Sequence, residues 1–267
     1  MMKIEEKLKQ ELTKIKENNW VIPEGVKPYE LAIEMMDNIG SVDSILRDNL
    51  ILNVFYKIIE EDKISYEQMK KILRLCLSED HLFYGLGKVN DDSVFNRTFS
   101  ILIIEAILSA NNKAEKEFLC ESEVLNIYKR VMEYFKKEQD FRGYVEGKGW
   151  AHSTAHTADA LCSLAQSRYI NHEELMEILF IIKKKVCIST YTYINEEDER
   201  LINVFMSIYK RNIITTEEII NWIYSFKDIN ANGKYPDEEH LRENRKVFLR
   251  SLYFRAVNFN LEEYIIK

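Results

Sequence analysis

Residues 101–110, Ile-Leu-Ile-Ile-Glu-Ala-Ile-Leu-Ser-Ala, are the most apolar stretch of the chain. The stretch is too short for a membrane span, which needs roughly 18 uninterrupted apolar residues, and it contains Glu105. Asp91 or Asp92 can cap a helix that leads into it. We therefore predict a long helix that is buried in a protein core and runs to about Ala110, and we predict no transmembrane segment.

Residues that break helices are scarce in the rest of the chain. The 267 residues include 8 Gly and 3 Pro, roughly 3% and 1% against average usages of about 7% and 5%. Apolar residues recur at the three-and-four spacing of a helix in about a dozen segments. In the first of these, one face carries Ile4, Leu8, Leu12 and Ile15. Since 46% of the residues are apolar, the chain can build a sizeable core, and we expect an all-α fold.

Capping patterns mark several helix starts. In a capping box, a polar side chain and an acid or amide three residues later each accept a hydrogen bond from the other's backbone amide. Three pairs fit this pattern, namely Ser65 with Gln68, Asn171 with Glu174, and Thr215 with Glu218. Ser41 or Asp43 can cap a further helix, which we expect to run to about Glu61.

Short turns join the predicted helices, an arrangement that is typical of stacked antiparallel helix pairs. No linker rich in Gly, Pro or Ser divides the chain. We therefore predict one all-helical domain over residues 1–267, an α-α superhelix of the HEAT or armadillo kind. Because the sequence shows no fixed-period repeat, a compact helical array is the alternative.

Charge and cysteine content argue against several classes of protein. Lys and Arg number 37 against 44 Asp and Glu, a net charge of −7, and the longest basic cluster is Lys183–Lys185, so we expect no nucleic-acid partner. The 4 cysteines form no CxxC pair, which argues against zinc-ribbon and redox motifs. Residues 1–17 lack the apolar core of a secretory signal. We expect a cytoplasmic protein with no membrane partner.

The chemistry of the chain is concentrated in one segment, a predicted loop over residues 139–149 and a predicted helix over residues 150–167. Three of the 8 glycines lie within seven residues, at Gly143, Gly147 and Gly149. Such crowding indicates unusual backbone dihedrals or a close approach to another group. On a helical wheel, one stripe carries His152, His156, Asp159 and Ser163, nearly opposite the apolar face with Ala151 and Leu161. The stripe is therefore a candidate site that is separate from the core.

The first hypothesis for this stripe is a metal site. Residues four apart on a helix present side chains about 6 Å apart, so His152 and His156 could share a divalent transition metal, with Asp159 as a third ligand. Ser153 stands where the HExxH motif of zinc proteases carries its glutamate, so that motif is not present. Any further ligand would have to come from elsewhere in the fold.

The second hypothesis is an anion site. Free amides at a helix N-terminus attract phosphate or carboxylate groups, and Arg142 and Lys148 could add charge-assisted contacts. The histidines would then be acid/base or hydrogen-bonding groups. The GxxxGxG spacing is weak support, because the segment lacks the preceding strand and the Lys-Ser/Thr ending of a nucleotide-binding loop.

The third hypothesis is purely structural. The two histidines could hydrogen-bond to neighbouring helices, Arg142 could pair with Asp159 or Glu146, and Trp150 could fill a joint between helix pairs.

Six further polar residues lie at apolar helical positions. They could line one pocket together with the two histidines, although we favour the alternative that they form salt bridges between helices. They are Asp48, Arg97, Glu197, Asp198, Arg200 and Arg250.

The segment from Arg142 to Asp159 resembles the signature of an uncharacterised bacterial family called domain of unknown function 2785. The matching residues are Arg142-Gly-Tyr-Val-Glu-Gly-Lys-Gly-Trp-Ala-His152, Ala155-His156 and Ala158-Asp159. Weaker likenesses at residues 46–48, 97–100, 197–201 and 248–251 extend the resemblance over most of the chain. The resemblance implies an all-helical cytosolic bacterial protein, and it carries over no catalytic residue.

Together these patterns predict a polar pocket that binds a metal ion or a small anionic ligand. Its floor would be His152, His156 and Asp159, and its rim Arg142, Glu146, Lys148 and Trp150. The competing prediction is a non-enzymatic α-solenoid scaffold that binds a protein or peptide. A concave site at these residues would favour the pocket, and a groove elsewhere would favour the scaffold.

Overall fold

The computed structural model describes residues 2–229 and 233–257, with side chains from Glu5 onward. The prediction of a mostly helical protein is confirmed. The helices are α1 (Met2–Glu17), α2 (Pro28–Asp37), α3 (Leu52–Glu60), α4 (Tyr66–Cys76), α5 (Ser93–Lys113), α6 (Glu121–Lys137), α7 (Ser153–Gln166), α8 (His172–Val186), α9 (Glu197–Lys210), α10 (Thr216–Tyr224) and α11 (Asp237–Val257). A π-helix spans Ile45–Ile51, a 3₁₀ turn spans Ser225–Asp228, and a hairpin pairs β1 (Tyr144–Val145) with β2 (Gly149–Trp150).

The described residues belong to two compact units, Met1–Ala160 and Leu161–Lys267. The single domain over residues 1–267 stays a prediction. In the first unit α5 packs against α3 and α4, α2 against α4, and α1 against the π-helix. In the second unit α8, α9 and α11 pack against one another.

Helix α5 is the predicted core helix, and that prediction is confirmed. Ile101, Ile103, Ile104 and Ile107 are fully buried. Among the described residues, α5 is the one helix long and apolar enough to cross a membrane by length and composition, and most of its apolar window is buried within the protein. Packing against α3 and α4 thus explains its apolar character.

The predicted capping boxes form as expected. The Ser65 hydroxyl accepts from the Gln68 amide at 3.3 Å, and the Gln68 side chain accepts from the Ser65 amide at 2.9 Å. The boxes at Asn171 and Thr215 are also formed. Each cap typically stabilises its helix by about 1 kcal/mol because it satisfies backbone amides that the helix itself cannot pair.

A buried ion pair connects α5 to the end of α6. Arg97 and Glu138 are almost completely buried and form a bidentate pair, with Nε–Oε2 at 2.6 Å and Nη2–Oε1 at 3.0 Å. The other guanidinium nitrogen, Nη1, donates to the Ser93 hydroxyl at 2.8 Å and to the carbonyl oxygens of Tyr84 and Gly85. Although burial lowers the pKa of Arg97, its bonds and attraction to Glu138 raise it overall. Arg97 therefore forms the interhelical salt bridge that the sequence favoured.

The polar residues of α9 also bond within their own unit. Glu197 is buried and accepts from the Asn195 amide at 2.8 Å. Asp198 accepts from the Ser251 hydroxyl of α11 at 2.5 Å. Glu197 and Asp198 therefore form hydrogen bonds that stabilise the fold, in agreement with the structural hypothesis for these residues.

Removing one partner of the buried pair should strongly destabilise the protein. We expect Arg97→Leu to lower the free energy of unfolding by about 3–5 kcal/mol, because Glu138 is left as an uncompensated buried charge. Lys137→Ala, which removes an exposed partner of Glu133, should cost less than about 1 kcal/mol. Urea denaturation of both variants measures the difference. Adding Glu138→Gln to Arg97→Leu should recover part of the loss, and an Arg97→Leu cost as small as that of Lys137→Ala would contradict the expectation.

Candidate functional site

The glycine-rich segment forms a β-hairpin, where the sequence predicted a loop. Tyr144 pairs with Trp150 and Val145 with Gly149. The ladder continues beyond the strands, because the amides of Ala151 and His152 donate to the carbonyl oxygens of residues 143 and 142 at 2.9 and 2.8 Å. Gly147 has a φ of +72° in the turn, and Gly149 has a φ of +83°. The prediction of unusual backbone dihedrals is confirmed at these two glycines.

Strand β2 lies directly on the π-helix. A Cβ atom at Gly149 would lie 2.5 Å from Asp48 Oδ2 and 2.6 Å from Ser44 Cβ. Arg47 Nη2 donates to the Lys148 carbonyl at 2.6 Å, and the Trp150 amide donates to Asp48 Oδ2 at 3.2 Å. The Arg47–Asp48 pair thus binds the backbone on both sides of Gly149, and Gly149 allows the close approach.

The guanidinium of Arg47 is fully buried between two aromatic rings. Its central carbon lies 4.1 Å from the ring centre of Phe95 and 4.7 Å from that of Phe99. It donates to the Ser41 carbonyl and pairs with Asp48 Oδ1 at 2.7 Å. Burial lowers the pKa of Arg47 and raises that of Asp48, and their mutual attraction opposes both shifts. Both residues lie in a π-helix, an element that is frequent at functional sites.

His152 and His156 lie in a series of aromatic contacts that we name the aromatic column, Tyr144–Trp150–His152–His156–Phe99. Trp150 and His152 stack with ring centres 4.8 Å apart, and the rings of His152 and His156 are 5.5 Å apart. Phe99 meets His156 edge-on at 5.5 Å, and Tyr144 meets Trp150 at 5.3 Å. The two histidines are 8% and 9% exposed, so the column is open to solvent mainly at Trp150 and Tyr144.

The helical-wheel interpretation is wrong at its first residue. Helix α7 begins at Ser153, and His152 precedes it with a left-handed φ of +51°. The stripe that begins at His152 is therefore not a continuous helical face. Both histidines are buried, although the wheel separated them from the core face. Ala155 and Ala160, which lie on the same helix, are also fully buried.

The two predicted rim cations are already paired with carboxylates. Arg142 forms a bidentate pair with the buried Asp140, with Nε–Oδ1 at 2.8 Å and Nη2–Oδ2 at 2.6 Å. This bond raises the pKa of Arg142. Lys148 Nζ lies 2.7 Å from both carboxylate oxygens of Asp92. The partner of Arg142 is therefore Asp140, and neither Asp159 nor Glu146 as the sequence suggested.

The predicted metal ligands are only partly brought together. The two histidine rings are close, and Asp159, the predicted third ligand, is half-buried on α7. Glu146, a predicted rim residue, is exposed in the hairpin turn. Within residues 2–229 and 233–257, no group of three or more His, Cys, Asp or Glu side chains is arranged to hold a metal ion. The three-ligand metal site therefore has no geometric support here.

Sequence reasoning missed the residues that hold this segment in place. Arg47, Asp92 and Asp140 contact it from the π-helix, from the start of α5 and from the hairpin itself. Two adjacent charged residues, Arg47 and Asp48, interrupt the mainly apolar segment Ile45-Leu-Arg-Asp-Asn-Leu-Ile-Leu52. This pattern could have indicated a buried polar contact, and of the two residues the sequence predictions include Asp48. The role of Arg47 required knowledge of a partner 101 residues away.

A large concave feature of the first unit lies elsewhere. It is a cavity of about 1040 Å³ between α3, α4, α5 and the loop at residues 114–118, and we name it the α3–α5 groove. Its lining residues lie between Tyr56 and Phe118 in the sequence. The rings of Tyr66 and Phe118 stack in its wall, with centres 4.4 Å apart. The groove is thus built by residues outside the predicted site.

Substituting the glycine that faces the π-helix should be much more harmful than substituting the glycine of the turn. We expect Gly147→Ala to cost about 1–2 kcal/mol of unfolding free energy for its left-handed backbone alone, because a Cβ there meets open space. Gly149→Ala should cost about 1–3 kcal/mol more, because its Cβ overlaps Asp48 and Ser44. Chemical denaturation of the two variants tests this, and equal costs would contradict the close packing.

Comparison with known proteins identifies one family. The model of the family described as "Protein of unknown function (DUF2785)" matches residues 82–254, which is more than half of the chain. Comparisons with curated proteins and with solved structures give no significant match. The matched range includes the hairpin, the aromatic column and the Arg97–Glu138 pair, and the chain therefore belongs to the DUF2785 family of proteins of unknown function.

Proposed function

We propose that this protein is a non-enzymatic helical scaffold that holds a peptide segment of a partner protein in the α3–α5 groove. The observation that carries the proposal is the groove itself, a cavity of about 1040 Å³ that is lined by residues 56–118 and lies apart from residues 142–159. The HEAT-like stacking of helix pairs and the cytoplasmic location are further parts of the same proposal.

The size of the groove supports a peptide as its ligand. Pockets for small molecules have volumes of about 300–1,000 Å³, and the groove, at about 1040 Å³, is slightly larger than that range. Helix-lined grooves commonly receive peptide segments through side-chain anchors. The half-buried rings of the wall, Tyr56 and Phe118, offer surfaces for such anchors.

The polar chemistry of residues 139–159 is better explained as architecture. Arg142 and Lys148 already have carboxylate partners, so they offer less charge to an incoming anion. The histidine rings are more than nine-tenths buried and in contact with other rings. In this proposal the segment fixes the hairpin to the π-helix and to α5.

Blocking the groove should abolish peptide binding. A random peptide library is selected on the wild-type protein, and the enriched peptides are tested on Ser109→Trp, which places an indole at a half-buried lining position. The matched control is Lys129→Trp, an exposed position on α6. We expect binding to fall at least tenfold for Ser109→Trp, about 1.4 kcal/mol or more, and to be unchanged for the control. Thermal unfolding of both variants verifies that they are folded, and selected peptides that bind Ser109→Trp as well as the wild type would refute the proposal.

A metal site at His152 and His156 is the second candidate function. The 5.5 Å separation of the histidine rings favours it, since two imidazoles at this distance can turn toward one ion. The test is zinc content and zinc titration of the purified protein beside His152→Asn/His156→Gln. Asn is chosen because it tolerates a left-handed φ. A metal site predicts roughly one equivalent lost in the variant, and equal zinc binding by both proteins would remove this candidate.

A further inference from the structure

We propose that the imidazoles of His152 and His156 bind copper(I), a monovalent metal ion with a filled d shell, in preference to zinc or another divalent ion. The inference rests on the metal site that is the second candidate function, and it specifies the class of metal that this site takes. Three properties of the site carry it, namely the spacing of the rings, the number of ligands, and the burial of the site.

The spacing of the two rings fits one shared ion. The ring centres of His152 and His156 are 5.5 Å apart. A metal ion lies about 2 Å from the imidazole nitrogen that binds it, and therefore roughly 3 Å from the ring centre, so two rings on opposite sides of one ion have centres up to about 6 Å apart. The second nitrogen of each imidazole can keep a hydrogen bond to the protein, which is usual for histidine ligands. The observed distance is therefore within the reach of a shared ion.

The number of protein ligands distinguishes between metals. Zinc sites in proteins are almost always four-coordinate, and the protein supplies three or four of the ligands. Among the residues that the structure describes, no third His, Cys, Asp or Glu side chain joins the two histidines in an arrangement that can hold an ion. Copper(I) is stable with two nitrogen ligands on opposite sides, and imidazole is a suitable ligand for copper. Two histidines therefore complete a copper(I) site, whereas zinc would need further ligands.

The burial of the site favours an ion of low charge. His152 and His156 are 8% and 9% exposed, and they contact the rings of Trp150 and Phe99. The free energy needed to move an ion out of water rises with the square of its charge, so a monovalent ion meets about a quarter of the penalty of a divalent ion of the same size. Two neutral imidazoles supply no negative charge to offset that penalty. Aromatic faces attract cations and partly compensate a single positive charge.

Trp150 provides a spectroscopic reporter at the site. Its indole stacks on the ring of His152, with ring centres 4.8 Å apart and an interplanar angle of 22°. A copper ion bound to His152 lies close to this indole and quenches its fluorescence. The other two tryptophans, Trp20 and Trp222, do not belong to the aromatic column. Quenching that depends on Trp150 therefore reports copper at this position.

The experiment titrates the full chain with copper(I) under anaerobic conditions, in competition with the chelator bicinchoninate, and with zinc in parallel. We expect the wild type to bind about one equivalent more copper(I) than His152→Asn/His156→Gln, and to bind it about a hundredfold more tightly than zinc at the same site. The cysteines are free and also bind copper(I), so the difference between the two proteins measures the histidine site. The matched control is His81→Gln, which changes a half-buried histidine outside the column and should affect neither metal.

Fluorescence of the wild type gives a second measurement that does not depend on the folding of the histidine variant. We expect copper(I) to quench part of the indole emission. Trp150→Phe should lose this quenching and keep nearly the same affinity for copper(I), because phenylalanine retains an aromatic ring beside His152. Thermal unfolding of each variant verifies that it is folded.

The outcomes separate the class of metal from the existence of the site. Zinc binding at the histidines that is as tight as copper(I) binding would overturn the inference and leave the metal site in place. Equal copper(I) binding by the wild type and the histidine variant, or quenching that persists in Trp150→Phe, would also overturn the inference. If zinc too is bound equally by the wild type and the histidine variant, the second candidate function fails with it.

Discussion

The buried guanidinium of Arg47 joins three parts of the first unit at one point. It extends from the π-helix, lies between two rings of α5, and donates to the backbone of the hairpin at Lys148. A guanidinium is suited to this position because its planar group can stack on aromatic faces while its edge donates several hydrogen bonds. Asp48 supplies the compensating charge and also accepts from the hairpin. The position of the aromatic column depends on this contact, because the column begins in the same hairpin and ends at Phe99.

A second buried arginine fixes the other end of the same segment. Arg97 pairs with Glu138, and Glu138 also accepts from the amides of Gln139 and Asp140 at 2.9 Å. Asp140 in turn binds Arg142 and accepts from the hydroxyl of Ser153 at the start of α7. The hairpin is thus held at its entry, along its second strand and at its exit. Residues that resemble a reactive site in the sequence are occupied in these contacts, whereas the α3–α5 groove is lined by other residues.

Local rules predicted the helices and their caps, and long-range contacts explain most of what the sequence did not reveal. The apolar spacing and the capping boxes at Ser65, Asn171 and Thr215 depend on neighbours in the sequence, and these predictions were confirmed. The hairpin was missed because its strands have two residues each, too few for an alternating pattern. The π-helix was missed because seven residues cannot distinguish its period from that of an α-helix. The wheel failed because one residue, His152, leaves the helical region of dihedral space. The resemblance to the family depended on residue identity and did not require any of these geometries.

The approach of Gly149 to Ser44 and Asp48 has a consequence for the divergence of related chains. Ser44 and Gly149 are separated by more than a hundred residues in the sequence, yet a methyl group added at Gly149 would occupy space that Ser44 already uses. A bulkier residue at one position can be accommodated only if the strand shifts or the opposite side chain becomes smaller. We therefore expect substitutions at these positions to be correlated across homologues, so that the joint between hairpin and π-helix evolves as a unit.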